Sequence, residues 1–489
     1  MQTEKMENSP RGPSVLQNWM SLMGLVVVIG SLFSFFLLGI LNAVAQFSNP
    51  YLSILTWMVA PAFLFAGLVL TLVGALRERL RRKGGASLVA AVQIDLSRPR
   101  DRRILVGFVI GSLLFIMLSA IGSYNTFEFT ESVQFCGQTC HTVMKPELTT
   151  HDHGPHARVA CVACHVGPGV NWFVRSKLSG SYQVYATAFD KYPRPIPTPI
   201  KNLRPARETC EQCHWPRKFS GNLDRTYNYF QSDASNSPYS IRLSIKIGGA
   251  DPTRGPVGGI HWHMVVGNNV EYIATDEARQ KIPWVRITDP QGVVTVYRVP
   301  RFTNDISQFE IRKMDCMDCH NRPSHRFVPP DQAVNLAMEL GQIDRTIPWI
   351  KTNAVFVLTR KYDTDNQARD GIATALAERY PNDPRIRDVI PVVQQIYRDN
   401  FFPEMKANWS IYPDNIGHMI WPGCFRCHDG NHKTDEGKTI KANDCNACHT
   451  ILAQGSGAEL QQLTPGGQPF KHAGGDYDLS CSDCHTGGL

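Results

Sequence analysis

The sequence predicts a mainly α-helical and irregular fold, in which a three-helix membrane anchor precedes a larger part outside the membrane that carries a small β-rich insertion. Three observations predict it. No charged residue occurs between residues 12 and 76, which is the composition of membrane-spanning helices. Fourteen cysteines occur in pairs, and each pair is followed at once by histidine. A stretch between residues 225 and 300 alternates apolar and polar side chains, as half-buried strands do.

The uncharged N-terminal stretch is too long for one span and suits two, because one span needs about 20 residues. A polar break at residues 48–50 divides it, which predicts spans at 20–43 and 52–76, and a third apolar run predicts a span at 104–123. The loop between the second and third spans is basic, and basic loops stay in the cytoplasm. We therefore expect a multi-pass protein of the bacterial cytoplasmic (inner) membrane whose remaining chain lies in the periplasm. The net charge of +7 comes mostly from this loop and does not indicate nucleic-acid binding.

The cysteine pairs carry the chemistry. Six have the spacing C-x-x-C-H, which is the attachment signal of c-type haem: two thiols bind the haem and the adjacent histidine becomes an axial iron ligand. The seventh pair has one additional residue between its cysteines. The seven motifs are Cys136/Cys140-His141, Cys161/Cys164-His165, Cys210/Cys213-His214, Cys316/Cys319-His320, Cys424/Cys427-His428, Cys445/Cys448-His449 and Cys481/Cys484-His485. The predicted fold is thus a multihaem cytochrome c with seven covalently bound haems packed into its periplasmic part.

Two other uses of cysteine are less consistent with this pattern. Zinc sites also use C-x-x-C, but they do not require a histidine after each second cysteine. A disulfide framework would not impose the same local triplet seven times. For the stretched pair, a local disulfide between Cys136 and Cys140 remains an alternative to haem attachment.

Nine histidines lie outside the motifs and are candidates for the second axial position. They are His151, His153, His156, His261, His263, His325, His418, His432 and His472, of which His325, His418, His432 and His472 are the strongest candidates. The supply is enough to make each haem six-coordinate, and a haem with both axial positions filled transfers electrons without binding substrate. For the first haem, Met144 is either an axial ligand or a packing methionine.

The rest of the periplasmic part is predicted from local patterns. Alternation at 239–247 and 293–299 predicts strands, and His261 and His263 would then share one face of a strand. Residues 331–340, capped by Asp331, and residues 365–380 and 384–400 are predicted to be helical. The predicted divisions are the anchor at 1–126, a haem module at 127–220, the β-rich insertion at 221–310, the fourth haem motif at 311–330, a helical segment at 331–410 and a C-terminal three-haem module at 411–489.

Several stretches of this sequence resemble the NapC/NirT family of membrane-anchored quinol dehydrogenases. They are Phe135 to Met144, His156 to His165 with the following Val-Gly-Pro-Gly, Arg204 to His214 with the following Trp-Pro, Cys319 to His325, and Gly417 to His432. The last two are similar to the larger members, and by architecture the chain is most similar to the heptahaem inner-membrane, quinol-oxidising cytochromes of metal-reducing bacteria. Typical members have four haems and one N-terminal helix, whereas this chain has seven motifs and three predicted spans.

The resemblance implies a quinol site. In the family, a lysine on the helix after the second haem motif lines the quinol pocket, and Lys177 is the similar position, although it could also be a solvated surface lysine. Glu128 and Glu131 could accept quinol protons or be ordinary interfacial carboxylates. The family's methionine ligation of the first haem is suggested for Met144, but the stretched first motif puts the role of His141 in question.

The motifs and the resemblance together predict a membrane-bound menaquinol dehydrogenase, which is a quinol:cytochrome c-type oxidoreductase. It would pass electrons through seven c-type haems to a periplasmic c-type cytochrome or reductase, in anaerobic respiration or extracellular metal reduction. One alternative is an electron-transfer or docking subunit of a larger complex without its own quinol site. Another is a terminal nitrogen-oxyanion reductase, which would need a five-coordinate haem.

Overall fold

The computed structural model describes residues 18–44, 60–83, 97–200, 203–249, 258–264, 268–440, 445–472 and 475. Its chain forms two compact units, one of residues 1–130 and 167–178 and the other of residues 131–166 and 179–489. The fold is mostly helical with antiparallel sheets, as the sequence predicts. The helices are α1 (Trp19–Val44), α2 (Ala60–Lys83), α3 (Pro99–Thr130), α4 (His141–Asp152), α5 (Cys161–His165), α6 (Val170–Ala188), α7 (Ala206–Cys210), α8 (Cys316–Cys319), α9 (Pro330–Glu339), α10 (Ile350–Thr359), α11 (Asp365–Arg379), α12 (Ile386–Asn400) and α13 (Cys445–Cys448).

The first unit contains the apolar helices. Within the described residues, two helices are long and apolar enough to cross a membrane, Trp19–Phe36 in α1 and Ala60–Arg81 in α2. They agree with the first two predicted spans, although residues 52–59 of the second lie outside the described residues. The third predicted span, 104–123, lies inside the 32-residue helix α3, which is not one of those two helices, so a third span stays a prediction.

Helices α1 and α2 pack closely through small residues. A Cβ added at Gly24 would lie 2.7 Å from the carbonyl oxygen of Gly67, and one added at Gly67 would lie 2.9 Å from that of Gly24. The Ser21 hydroxyl donates a hydrogen bond of 3.0 Å to the carbonyl oxygen of Thr71. In a bilayer, where burial in lipid offers no hydrophobic gain, such close backbone approach and interhelical hydrogen bonding hold helices together.

We therefore expect Gly24→Leu to weaken this helix pair by about 1–3 kcal/mol, the usual cost of forcing extra carbons into a packed interface. The measurement is thermal unfolding of the purified protein in detergent. Gly30→Leu is the matched control on the same helix, because a Cβ at Gly30 has no atom within 4 Å. Equal midpoints for the two variants would contradict the packing shown here.

The second unit contains two antiparallel sheets. The strands are β1 (Leu223–Phe230), β2 (Pro238–Ile245), β3 (Asn269–Ile273), β4 (Trp284–Thr288), β5 (Val294–Arg298), β6 (Arg312–Lys313) and β7 (His449–Gly455). One sheet has the order β1-β2-β7 and the other β5-β4-β3-β6. The two alternating segments fall on β2 and β5. Strand β7 comes directly after a haem motif near the C-terminus, so the first sheet is completed by a distant part of the chain.

Helices α9 to α12 surround the largest described apolar core. Ile350, Leu358, Ile372 and Val393 are all fully buried there. The three predicted helices are present with ends shifted by one or two residues, and α10 is an additional one. The predicted cap is wrong: α9 begins at Pro330, the residue before it is Pro329, and the Asp331 carboxylate instead pairs with the Lys351 ammonium at 2.8 Å.

Candidate haem sites

Most of the described motifs lie on single helical turns. Cys161 to His165 form α5, Cys316 to Cys319 form α8, and Cys424 lies in the 3₁₀ turn Gly423–Arg426. A turn of this kind brings residues three apart onto one side, which is what attachment of both thiols to one haem requires. The α8 turn is fixed by a capping box between Asp315 and Asp318.

The third motif is split between a helix and a turn. Cys210 ends α7, whereas Cys213 lies in the hydrogen-bonded turn that follows, its backbone N–H donating to the Cys210 carbonyl oxygen at 3.1 Å. Cys213 is exposed, while Cys210 is half-buried. Cys319 and Cys424, which lie within helical turns, are exposed as well. Haem attachment through Cys213 stays a prediction, which the turn supports.

The stretched motif has a different local structure. Residues Gln134–Thr139 form a π-helix that ends at Cys140. A π-helix has a wider turn than an α-helix, so Cys136 and Cys140, four residues apart, can again face the same side. Gly137 is buried in this turn, and a Cβ there would lie 2.7 Å from Leu148 of α4. The extra residue is thus accommodated by the backbone.

None of the eleven described cysteines forms a disulfide bond. Cys136 and Cys140 are both reduced thiols in this part of the chain, so the disulfide alternative for the stretched motif is not what the structure holds. Cys445, Cys481 and Cys484 are outside this group. The described thiols are therefore available for thioether attachment.

Successive motifs are neighbours in space. The Cys136 thiol lies close enough to that of Cys161 to lower its pKa, and the Cys316 thiol lies close enough to that of Cys210 to raise its pKa. Helix α5 packs on α7, and α7 packs on α8. Further along, Cys424 lies in electrostatic range of both Cys319 and Cys448. The first six motifs therefore follow one another in the fold in the order in which they occur in the chain.

Five histidines outside the motifs face five motif histidines. The ring centroids are separated by 6.0 Å in His156–His214, 6.3 Å in His165–His325, 6.4 Å in His261–His320, 6.0 Å in His263–His428 and 6.3 Å in His418–His449. Two imidazoles on opposite sides of one metal ion, with bonds of about 2.0 Å and roughly 1.1 Å from ring nitrogen to ring centre, would have centroids about 6.2 Å apart. Each pair thus has the spacing of two axial ligands of one iron.

Hydrogen bonds orient four of these five non-motif histidines. In each, Nδ1 lies within hydrogen-bond distance of a backbone carbonyl oxygen, to which a protonated Nδ1 would donate. The carbonyls belong to Pro323 for His156 (3.1 Å), Ile247 for His261 (3.1 Å), Ile260 for His263 (2.9 Å) and Glu147 for His325 (2.9 Å). Such a bond fixes the tautomer and leaves Nε2 as the ligand atom.

Burial favours the neutral form of several of the paired rings, which is the form that binds a metal. It lowers the pKa of His325 to about 4, with the nearby Arg322 guanidinium as the next cause. Burial likewise lowers the pKa of His165 and of His263. At neutral pH the lone pair needed for iron coordination is therefore present.

The remaining candidate histidines are placed differently. His151 lies 6.4 Å from His325, but its Nε2 faces the carbonyl oxygen of Val159 and its Nδ1 faces Asp152. His432 is fully buried with Nδ1 on Asp429 and Nε2 on the carbonyl of Ile282. Engagement of both nitrogens does not favour ligation, so the iron-ligand roles of these two stay predictions without geometric support.

Three candidate ligands besides the motif histidines are less well defined. His153 is exposed, with Nδ1 on the carbonyl of Thr149. His472 is exposed beside Phe470, and its motif neighbour, His485, lies outside the described residues, as does the side chain of His141. Met144 is half-buried on α4. The axial ligands of the first and seventh haems therefore stay predictions.

The predicted pair of histidines on one strand face is wrong. His261 and His263 lie on a 3₁₀ turn, Ile260–Met264, and face the histidines of two different motifs. A 3₁₀ helix has three residues per turn, so residues two apart point in different directions. From the sequence, His261 and His263 were weaker candidates for iron ligands than His432. The one sequence feature that could have made them stronger candidates is their proximity to each other in a segment rich in glycine.

In the first unit, Lys177 on α6 lies against the end of α3. Its Nζ is 5.0 Å from the ring centroid of Phe173 and 5.9 Å from that of Phe127, and the two rings stack at 6.1 Å. Glu128 follows Phe127 on α3 and is exposed. Lys177 thus lies beside two aromatic rings, of which Phe127 directly precedes Glu128 in the chain. Glu131 belongs to the second unit, and its role stays a prediction.

Comparison with known proteins gives two matches. The family model described as "NapC/NirT cytochrome c family, N-terminal region" matches residues 98–195. The chain is 41% identical over 494 residues to the protein described as "Cytochrome c-type protein ImcH" from Geobacter sulfurreducens, covering 96% of this chain and 95% of that protein. No solved structure matches.

Proposed function

The chain belongs to the NapC/NirT family of cytochromes c, and on that premise we propose that this membrane-anchored multihaem cytochrome is a menaquinol dehydrogenase. It takes electrons at the outer face of the bacterial inner membrane and passes them through seven c-type haems to a periplasmic c-type cytochrome or reductase. Its chain crosses the membrane three times, with the haem-bearing part in the periplasm. The physiological setting is anaerobic respiration or extracellular metal reduction.

The residues present fit the haem groups. The described cysteines are reduced thiols, and five histidine pairs have the spacing of two imidazoles on one iron. Five haem irons would be held by His214 with His156, His165 with His325, His320 with His261, His428 with His263 and His449 with His418, and the first and seventh haems would be held through the motif histidines His141 and His485. Haem c supplies one-electron redox chemistry when bound.

The observation that carries the proposal is the spatial order of the motifs. Consecutive motifs lie side by side from the first to the sixth, and in five of them the motif histidine faces a second histidine at the spacing expected of two ligands of one iron. A row of closed sites is suited to moving electrons and not to binding a substrate at iron. This favours electron transfer over terminal nitrogen-oxyanion reduction.

For the quinol site we propose Lys177 with Phe127 and Phe173. The rings offer an apolar surface for a quinone ring, and the Lys177 ammonium can donate a hydrogen bond to a quinol oxygen and stabilise negative charge as the proton leaves. Glu128, in the same unit, is the proposed proton acceptor, and a proton-accepting role for Glu131 stays a separate prediction. Oxidation of one menaquinol releases two electrons and two protons, so a route for the protons to the periplasm is needed.

The test is to mix oxidised, detergent-purified protein anaerobically with a reduced menaquinol analogue and follow the haem α-band by stopped flow. Rapid reduction is the expected result. If dithionite reduces all haems while the quinol reduces none, the chain lacks a complete quinol site and is an electron-transfer or docking subunit of a larger complex.

The stretched first motif gives a separate prediction. Cys136→Ala should retain one fewer haem than the wild type, because a single thioether from Cys140 would hold the haem poorly. The haem-to-protein ratio, measured by pyridine haemochrome assay and intact mass, checks this, with Cys161→Ala as the matched control at a motif of ordinary spacing. An unchanged ratio in Cys136→Ala alone would mean that the first motif carries no haem.

A further inference from the structure

The second half of helix α6 and the residue that follows it, Phe189, expose a stripe of aromatic side chains. Tyr182 and Phe189 are 65% and 64% exposed, and Tyr185 lies between them. Spacings of three and four residues place them on one side of a helix, and their rings are in contact, at 6.3 Å for Tyr182–Tyr185 and 4.8 Å for Tyr185–Phe189. We call these three residues the aromatic face. Ala186, which follows Tyr185 in the chain, is buried.

A continuous exposed apolar surface of this kind marks an interaction site. The helix itself indicates what covers it. Its first half, up to Leu178, belongs to the same unit as the two apolar helices that anchor the protein, and Phe173 there stacks on Phe127 of α3. The aromatic face therefore continues along a helix that starts in the membrane-anchoring unit.

The composition and charges of the helix also favour a lipid surface. Tyrosine and other aromatic residues concentrate where a membrane meets water. Cations accompany the rings: Lys191, three residues beyond the end of α6, donates a hydrogen bond of 2.9 Å to the Tyr185 hydroxyl, and in the first half of α6 the Arg175 guanidinium lies 5.3 Å from the Trp172 ring. Basic groups beside interfacial aromatics attract anionic lipid headgroups.

We propose that the aromatic face lies in the headgroup region of the membrane, so that α6 is an interfacial helix and a second membrane contact of this protein besides its apolar anchor. The occupant is a phospholipid surface. This contact does not depend on quinol oxidation, and it would exist equally in an electron-transfer subunit.

The test places the photoreactive residue p-benzoylphenylalanine at position 182, 189, 356 or 33, one at a time, in the full-length haem-loaded protein. The variants are reconstituted in nanodiscs of phosphatidylethanolamine and phosphatidylglycerol, irradiated, and analysed by peptide mass spectrometry for phospholipid adducts. Adducts are expected at positions 182 and 189.

Two controls make the result decisive. Phe356, on α10, is 61% exposed and matches the tested positions in exposure, and no lipid adduct is expected there. Phe33, 67% exposed on the apolar helix α1, should label with lipid and shows that the chemistry works. Labelling at 33 with none at 182 and 189, or crosslinks from 182 and 189 to a second copy of the chain, would overturn the proposal. Unchanged haem spectra in each variant show that the fold is retained.

Discussion

Replacing His325 by alanine should convert one haem of the seven proposed from low-spin to high-spin. His325 faces His165 at 6.3 Å, its Nδ1 is engaged by the Glu147 carbonyl, and burial holds it neutral. Removing it would leave one axial position of the second haem open. The oxidised protein should then show a high-spin absorption band, and the reduced protein should bind one carbon monoxide per chain, because an open ferrous site accepts that ligand.

Two neighbouring histidines are the controls for that experiment. His153→Ala should leave the spectra unchanged, because His153 is exposed and bonded to a backbone carbonyl. His151→Ala is the stricter control, since His151 lies as close to His325 as His165 does but has both nitrogens engaged. High-spin haem in His151→Ala with a low-spin spectrum in His325→Ala would show that the assignment of the second haem is reversed.

The motif histidines could be predicted from sequence because each lies one residue from its cysteine, and the spacing itself carries the chemistry. Their partners could not be identified in the same way. His325 meets a motif that lies far earlier in the chain, and His156 meets one that lies later, so each match depends on the tertiary fold. His432 was a strong candidate for an iron ligand because it lies near a motif in the sequence, yet it is buried with both ring nitrogens hydrogen bonded.

The fold shows the same difference between local features, which the sequence predicts, and long-range contacts, which it does not. Helices α11 and α12 could be predicted because apolar periodicity and caps are local; Thr364 caps α11 through the backbone N–H of Gln367. Strand β7 could not, because it pairs with β2 from the other end of the periplasmic sequence. The π-helix at the first motif was also not predicted, since nothing in the local composition distinguishes it from an α-helical turn, in which residues four apart share one face as well.

Lys177→Ala should slow quinol oxidation on the order of 10²-fold, the usual effect of removing one donor that stabilises developing charge at the reacting oxygen. The Lys177 ammonium lies over Phe173 and Phe127, on α6 against the end of α3. The haem spectra and reduction by dithionite should remain unchanged, because Lys177 is not a proposed haem ligand. The rate of α-band reduction by a menaquinol analogue, followed by stopped flow, is the measurement.

Lys218→Ala is the matched control, since the Lys218 ammonium lies over an aromatic ring in a similar way, 4.1 Å from that of Trp215, outside the proposed quinol site. Its rate should equal that of the wild type. Lys177→Arg keeps the positive charge and should therefore recover part of the rate. A purely structural role of the side chain predicts no such recovery, because the larger guanidinium fits the Lys177 position less closely. Wild-type rates in Lys177→Ala would exclude this lysine from the site and place quinol oxidation elsewhere on the protein.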